Sequence, residues 1–256
     1  MATVNRRTAP WITLGLPLLL ALVFVACWEW AVWYWKVAPW LLPAPSRILV
    51  TLWQGRVVLA GHVLVTLLET VLGFGLALMV GWSLAFLVDA SPLLRVAVYP
   101  LLVASQTIPI VAIAPLLVIG FGFGLLPKVL VVMLVCFFPI VVNTVDGLAA
   151  TDRDMLRLLQ TMNAGRWQIL RLLRIPAALP AIFTGLKLAV TYSVIGAVLA
   201  EWIGAQAGLG VYLARSLRAV RTDQVFVAAL VSSALTLALF GLTVALERAL
   251  TRWRFS

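Results

Sequence analysis

Six long apolar runs divide this sequence, and they constrain its fold more than any other feature. Each is close to the roughly 20 mostly apolar residues that an α-helix needs to cross a bilayer. The runs cover residues 11–35, 63–88, 96–119, 129–150, 181–203 and 225–246. Because lipid offers backbone groups no hydrogen-bond partners, such segments are helical. The sequence therefore predicts an all-α integral membrane protein, a single domain over residues 1–256 with six transmembrane helices.

The composition separates this chain from soluble proteins and from nucleotide-hydrolysing enzymes. Hydrophobic residues make up 64% and charged residues 11% of the sequence, whereas a soluble domain is about half apolar and roughly a quarter charged. The P-loop pattern G-x-x-x-x-G-K-[ST], which cradles nucleotide phosphates, does not occur. We therefore expect that this chain is not an enzyme and that any ATP hydrolysis is carried out by a partner subunit.

The sequence also offers little material for a metal site, a cofactor or nucleic-acid binding. His62 is the only histidine, and Cys27 and Cys136 lie in apolar runs without metal-ligand spacing. The net charge of +10 comes from basic residues in short segments between the apolar runs. Membrane orientation explains that pattern better than nucleic-acid binding does. We expect no cofactor, no metal and no nucleic-acid partner.

Basic residues outside the apolar runs predict the orientation of the chain. Six spans place both termini on one side of the membrane, and short cytoplasmic loops carry an excess of lysine and arginine. If the termini are cytoplasmic, that side holds Arg6, Arg7, Arg95, Arg153, Arg157, Arg166, Arg171, Arg174, Arg248, Arg252 and Arg254. The outside then holds Lys36, Arg47, Arg56, Lys128, Arg215, Arg218 and Arg221. The excess predicts a multi-pass membrane protein with both termini in the cytoplasm.

The longest polar interval between apolar runs covers residues 151–180, on the predicted cytoplasmic side. Asp152 and Asp154 provide the negative charge that favours a helix start. Asn163 and Gly165 suit a helix end, where left-handed backbone is common. The interval thus predicts a short helix within a cytoplasmic loop.

The same interval carries an apolar stripe and two prolines. Leu156, Leu159 and Met162 recur three residues apart, so the short helix is predicted to present them together to a partner. A second basic segment then leads into Pro176 and Pro180. These prolines are predicted to break the chain before the fifth span.

Residue chemistry alone favours a basic cytoplasmic loop with Trp167 at the bilayer interface. The interval nevertheless resembles the coupling loop of the permeases of binding-protein-dependent ABC importers. Their pattern is Glu-Ala-Ala, three residues, Gly, nine residues, Ile, one residue, Leu-Pro. It falls here on Arg157-Leu158-Leu159, Asn163, Leu173 and Ile175-Pro176, and Ala164 to Gln168 also match many members. The first half departs from the pattern, since arginine replaces glutamate and asparagine replaces glycine. Asparagine tolerates a left-handed turn, so we expect the backbone shape to survive.

The resemblance implies a transport subunit with the type I importer permease fold, located in a bacterial cytoplasmic (inner) membrane and working with a set of partners. Two ABC ATPase subunits would receive coupling helices at about Asp154–Asn163. An extracytoplasmic solute-binding protein would dock on residues 36–61 and 204–223, and two copies of the chain would form the path. The residues implied in ATPase coupling are Asp154, Arg157, Leu158, Leu159, Met162, Asn163, Ala164, Gly165 and Trp167.

Polar and helix-breaking residues inside apolar runs are candidates for the solute path, because polar groups in lipid are costly. These candidates are Gln106, Thr107, Pro109, Glu69, Asn143 and Glu201. Helix–helix hydrogen bonds explain Ser105 or Thr107 more simply, whereas the Gln106 amide needs several partners. Glu69 and Glu201 remain open between path residues and structural partners of Lys187 or an exterior arginine.

Further motifs resemble one branch of these permeases, over about residues 42–246. Glu201-Trp202-Ile203-Gly204 with Gly208-Leu209-Gly210 is similar to importers of sulfonates, taurine, nitrate and thiamine precursors. Ser105 to Pro109 and Pro127-Lys128 through Asn143 are most similar to the aminopyrimidine (thiamine-precursor) and riboflavin importers. The resemblance implies a small organic solute, with an aminopyrimidine as the first choice.

A secondary transporter or channel that needs no ATPase is the rival interpretation. Such proteins are expected to show inverted repeats and paired broken helices. The sequence instead has one proline-interrupted span and a single long cytoplasmic loop. Both features favour the importer permease.

Overall fold

The computed structural model describes residues 10–251 as an all-helical protein. Its helices are α1 (Pro10–Tyr34), α2 (Pro45–Ala90), α3 (Pro92–Ser105), α4 (Ile110–Phe121), α5 (Leu125–Ala149), α6 (Arg153–Thr161), α7 (Arg166–Ile169), α8 (Ile175–Glu201), α9 (Leu209–Arg218) and α10 (Thr222–Leu250). No strand occurs within these residues, which confirms the all-α prediction. Arg6, Arg7, Arg252 and Arg254, which contributed to the predicted orientation, lie outside the described residues.

Five helical segments are long and apolar enough to cross a membrane. They are Gly15–Tyr34 of α1, all of α2, all of α5, the continuous helix Arg166–Glu201 and all of α10. Helices α3 and α4 qualify only together, and they are bent by 95° at the break between them. The described residues therefore contain five spans, or six if the bent pair counts as one.

The break between α3 and α4 lies where the sequence predicted an interruption of the third span. Pro109 has no N–H to donate into a helix ladder, and α4 begins directly after it. The hydroxyl groups of Ser105 and Thr107 donate to backbone carbonyls three residues back, at 2.7 Å each. Local side-chain bonds of this kind compete with the helix ladder. The chain therefore turns sharply here instead of continuing as one helix.

Helix α2 is much longer than the predicted second span, residues 63–88. Residues 47–54 and 63–88 belong to one helix of 46 residues, which at 1.5 Å per residue is about 69 Å long. No proline occurs after Pro45 until Pro92, so nothing in this interval forces the helix to end. Roughly 30 Å of helix crosses the hydrocarbon layer, and α2 therefore extends well beyond it.

Helix α1 is held to the remaining helices mainly near its end. Glu29 accepts hydrogen bonds from the backbone N–H and the hydroxyl of Ser46, at 2.9 and 2.7 Å. The Trp28 ring packs against Phe226 of α10 with ring centroids 5.5 Å apart. The earlier part of α1 presents exposed leucine and phenylalanine side chains, as expected of a helix that faces lipid.

The core lies where α5 packs between α2 and α8, and small residues allow these helices to approach closely. A buried cluster there contains Ala77, Val132, Cys136, Ile140, Ala189 and Ala197. Gly73 of α2 lies against Val132, and Gly185 of α8 lies against the Pro139 carbonyl, where an added Cβ would be 2.6 Å from the oxygen. Close contact at glycine is the usual way for helices to pack in lipid. Cys136 is a buried part of this packing.

Candidate coupling site and membrane-embedded polar groups

The short helix predicted within residues 151–180 is present as α6, and its first turn is closed by the aspartate expected from the sequence. Asp152 Oδ1 accepts from the backbone N–H groups of Asp154 and Met155, at 2.8 and 3.4 Å. These bonds satisfy donors that have no partner inside the helix. Asp154 adds negative charge to the first turn, where the helix dipole favours it.

The end of α6 closes through a left-handed residue. Asn163 has φ of 60°, and the Ala164 N–H donates to the Leu159 carbonyl at 3.0 Å. The Asn163 N–H donates to Gln160 at the same distance, which completes a Schellman motif. Asparagine thus adopts the turn for which the family pattern has glycine, as the sequence predicted.

The exposed apolar edge of α6 differs from the predicted stripe. Met155, Leu158 and Met162 are 53%, 53% and 70% exposed. Leu156 and Leu159 are only half-buried, so both face partly toward the chain itself. Residues three and four apart lie on one side of a helix. The sequence pattern therefore fits Met155, Leu158 and Met162 as well as it fits the predicted set. Of the predicted stripe, only Met162 lies on the outward edge.

The second basic segment is helical, which corrects the predicted break at Pro176 and Pro180. Gly165 precedes α7, where the Gln168 side chain accepts from its N–H at 2.8 Å. The helix continues through a π-turn at Leu170–Arg174 into α8. In that turn the Ile175 N–H donates to the carbonyl of Leu170, five residues back. The wider turn changes the bonding register just before Pro176, whose missing N–H is therefore accommodated.

Arg174 fastens the base of this helix to two others. Its guanidinium donates to both carboxylate oxygens of Asp89, at 2.7 and 2.6 Å, and to the Leu148 carbonyl at 3.1 Å. Paired bonds between a guanidinium and a carboxylate fix orientation as well as distance. The ends of α2 and α5 are thereby held to the start of the long helix that follows α6.

A groove of about 960 Å³ separates α6 from the helix ends that Arg174 joins. Leu156 and Gln160 of α6 form one wall, and Phe86, Leu148 and Ile175 contribute to the other. Trp167 and the basic residues Arg153, Arg166 and Arg174 also line it. Helix α6 thus projects from the bundle and is connected to it mainly through its two ends.

Arg157 and Trp167 lie on the exposed side of this region. Arg157 is 3.6 Å from Asp154 within α6, and both side chains are largely exposed. An exposed pair of this kind contributes little to stability. Trp167 is 68% exposed, so both residues are accessible to a partner. The predicted coupling residues therefore occupy one continuous segment, with Ala164 half-buried in its turn.

The predicted path residues fall into separate places. Gln106, Thr107 and Pro109 are exposed at the bend between α3 and α4. Asn143 is half-buried on α5, where its amide donates to the Pro139 carbonyl at 2.8 Å. Glu69 is buried on α2, where Lys128 of α5 contacts it.

Glu69 and Glu201 have structural partners that the sequence did not identify. Lys128 donates to Glu69 at 2.9 Å, so this lysine is not a free exterior cation. The Thr66 hydroxyl donates to Glu201 at 2.6 Å. Lys187, the partner considered from the sequence, instead lies 2.5 Å from Glu247. Both glutamates are 1% exposed in the chain.

Three backbone N–H groups donate to side chains of α2 and α8, and the sequence did not predict these contacts. Gly208 donates to His62 Nδ1 and Leu209 donates to Thr66, at 2.9 Å each, while Gly210 donates to Glu201. Together they hold the start of α9 against α2 and α8. Gly208 has φ of 124° and lies against the Glu201 carboxyl, so a side chain is excluded there. The spacing of His62 and Thr66, four residues apart on a helix, was the available signal.

Comparison with known proteins agrees with this architecture. Residues 75–252 match the family model described as binding-protein-dependent transport system inner membrane component. The formylaminopyrimidine transport permease protein ThiX of Halalkalibacterium halodurans is 40% identical over 84% of this chain and 87% of its own. The riboflavin transport system permease protein RibX of Chloroflexus aurantiacus is 36% identical over 96% of this chain and 92% of its own. A putative aliphatic sulfonates permease, SsuC of Bacillus subtilis, is 28% identical over 93% and 87%.

The matched segment contains the bend between α3 and α4, the core around α5, and α6 with the helix that follows. It covers more than half of the chain, and the relatives align over most of their lengths. The chain therefore belongs to the family of binding-protein-dependent transport system inner membrane components, the permease subunits of ABC importers.

Proposed function

We propose that α6 of this permease couples ATP hydrolysis in two separate ATPase subunits to the movement of the solute. The observation that carries the proposal is the exposed apolar edge of Met155, Leu158 and Met162 on a helix that projects from the bundle. An amphipathic helix that presents such an edge fits an apolar groove on a partner. Both ends of α6 are closed by hydrogen bonds, so it is suited to dock as a rigid unit.

The helix that follows α6 provides a route for the movement. Residues Arg166–Glu201 form one helical segment of 36 residues, or about 54 Å at 1.5 Å per residue. Arg174 links its base to α2 and α5. Closure of the ATPase pair would displace α6, and the packed helices would follow as rigid bodies. This movement would open the path alternately to the cytoplasm and to the outside.

Two copies of the chain would enclose the path in this proposal. The exposed bend with Gln106, Thr107 and Pro109 would face it, because an amide and a freed carbonyl offer hydrogen bonds to a solute. Asn143, Glu69 and Glu201 would act inside each copy, where their partners are Pro139, Lys128 and Thr66. A solute-binding protein would dock on the outer end of α2 and on α9, whose last turn carries Arg215 and Arg218.

An aminopyrimidine related to thiamine precursors is the proposed solute. The support is the 40% identity to a permease named for formylaminopyrimidine transport. Riboflavin is the first alternative, given the 36% identity to RibX, and sulfonates, taurine and nitrate follow. Uptake by the reconstituted importer, with its own binding protein, should be greatest for the aminopyrimidine. Faster uptake of riboflavin, or of a sulfonate, would replace this assignment without changing the coupling mechanism.

A co-purification experiment tests the coupling role of α6. The amount of ATPase that co-purifies with tagged Leu158→Asp permease should be about tenfold or more below the wild-type amount. The reason is that the substitution places a charge in an apolar contact. Leu172→Asp is the matched control, since Leu172 is 68% exposed but lies outside α6. The ATPase activity of the recovered material measures the loss.

The control also defines the contrary result. Equal recovery with Leu158→Asp and Leu172→Asp would mean that α6 does not dock the ATPase. A single-component preparation that moves solute into liposomes without ATP would overturn the importer mechanism and favour a secondary transporter.

A further inference from the structure

Two buried carboxyl groups and one lysine meet at the junction of α2, α5 and α8. Glu69 and Glu201 are each 1% exposed, and Lys128 is 12% exposed at its side chain. Thr66 and Glu69 lie three residues apart on α2 and therefore on one face. Since Thr66 binds Glu201 at 2.6 Å, the two carboxyl groups lie side by side, close enough to hydrogen bond with each other.

The hydrogen-bond inventory leaves one oxygen without a donor. Glu69 Oε1 accepts from Lys128, whereas Glu69 Oε2 is buried with no partner among the described residues. Both oxygens of Glu201 accept, one from Thr66 and one from the Gly210 N–H. An ionised carboxylate can only accept. Therefore Glu69 Oε2 and the adjacent Glu201 can hydrogen bond only if one of the two carboxyl groups carries a proton. Lys128, 2.9 Å from Glu69, stabilises ionised Glu69, so the proton belongs to Glu201.

Charge leads to the same conclusion. With both glutamates ionised, two buried negative charges would face one lysine, and like charges at such distances disfavour double ionisation. The other titratable or charged groups around the site are His62 on α2 and Tyr212 and Arg215 on α9. His62 Nδ1 accepts from Gly208, so this bond is made by the neutral imidazole. Arg215 donates to the Gln206 carbonyl at the surface.

We propose that Glu69 and Glu201 form a proton-binding site, in which protonated Glu201 donates a hydrogen bond to Glu69 Oε2 and Lys128 neutralises Glu69. The bound proton balances the site, which then holds one positive and one negative charge. It also joins the last turn of α8 to α2, at the opposite end of the helix from Arg174. The long helix after α6 is thereby held at both ends. The ion pair of Arg174 with Asp89 holds its first turns, and the proton shared between Glu201 and Glu69 holds its last turn.

Infrared spectroscopy of the full-length permease in lipid nanodiscs at pH 7 tests the proposal. The wild type should show the C=O band of a protonated carboxyl group, and this band should be missing from Glu201→Gln. Glu247→Gln is the matched control, because Glu247 also contacts a lysine, at 2.5 Å, but has no carboxyl neighbour among the described residues. That variant should retain the band.

Isotope labelling keeps the test valid if a variant fails to fold. Labelling the glutamate carboxyl carbons with ¹³C should shift the band in the wild-type protein. A wild type with no label-sensitive protonated carboxyl band at pH 7 would overturn the proposal. So would a band that persists in Glu201→Gln or that Glu247→Gln removes.

Thermal unfolding gives a second readout that a general loss of packing would not reproduce. Gln at position 201 can still donate to Glu69 and accept one bond, so Glu201→Gln should melt close to the wild type. Glu69→Gln removes the negative charge beside Lys128 and should melt well below it, because an unpaired buried charge is costly. Equal losses, or a larger loss for Glu201→Gln, would contradict the assignment of the proton to Glu201.

Discussion

At the scale of single residues, two glycines of α2 illustrate how close packing controls stability. Gly73 lies against Val132 of α5, whereas an added Cβ at Gly75 meets nothing within 4 Å. Gly73→Ala should lower the free energy of unfolding by about 1–3 kcal/mol through overpacking. Gly75→Ala adds the same methyl group on the same helix and should be neutral or slightly stabilising. Thermal unfolding in one detergent measures both variants, and equal effects would mean that the α2–α5 contact is not tight.

Asn163 shows how a departure from the family pattern is accommodated at one residue. Its φ of 60° is favourable for glycine and tolerable for asparagine, but it costs roughly 1–2 kcal/mol for other residues. Asn163→Gly should therefore preserve coupling, and Asn163→Val should reduce the stimulation of ATPase activity by the loaded binding protein. The matched control is Gln160→Val, which places the same side chain in right-handed helix. Full stimulation with Asn163→Val would show that the turn does not position α6.

At the scale of helices, the sequence predicted chain segments better than it predicted their continuity. The caps of α6 were predictable, because Asp152 and Asn163 act through local backbone geometry. The outward edge of α6 was not, since the choice between Leu158 and Leu159 depends on how the whole loop packs. Hydropathy located only residues 63–88 of α2, because it reports which residues favour transfer into lipid. It does not report how far the helix continues outside the bilayer, and α2 begins at Pro45.

The continuous helix through Pro176 and the partner of Glu69 were not predicted, for a related reason. The sequence signal at Pro176 is that of a helix break, but the π-turn at Leu170–Arg174 lets the helix continue. Propensity describes an isolated segment, whereas packing against α5 and the bond from Arg174 to Asp89 stabilise this one. The partner of Glu69, Lys128, is 59 residues away in sequence. Pairs of this kind depend on the three-dimensional arrangement and have no local pattern.

At the scale of the whole molecule, the link between Arg174 and the ends of α2 and α5 should determine how well ATP hydrolysis drives transport. Arg174→Gln removes the ion pair, so α6 could move without displacing the core helices. Arg174→Lys keeps the charge but loses the paired geometry. We expect solute moved per ATP hydrolysed to fall most for glutamine and less for lysine, in proteoliposomes that contain the complete importer.

Arg171 provides the control for that measurement, because it lies in the same π-turn, is exposed and makes no ion pair among the described residues. Arg171→Gln should leave the transport ratio unchanged, although it removes the same charge. If Arg174→Gln hydrolyses ATP at the wild-type rate but moves less solute, the base of the long helix transmits the movement. If its ratio equals that of Arg171→Gln, the movement must pass from α6 to the bundle by another route, and the bond to Asp89 only stabilises the fold.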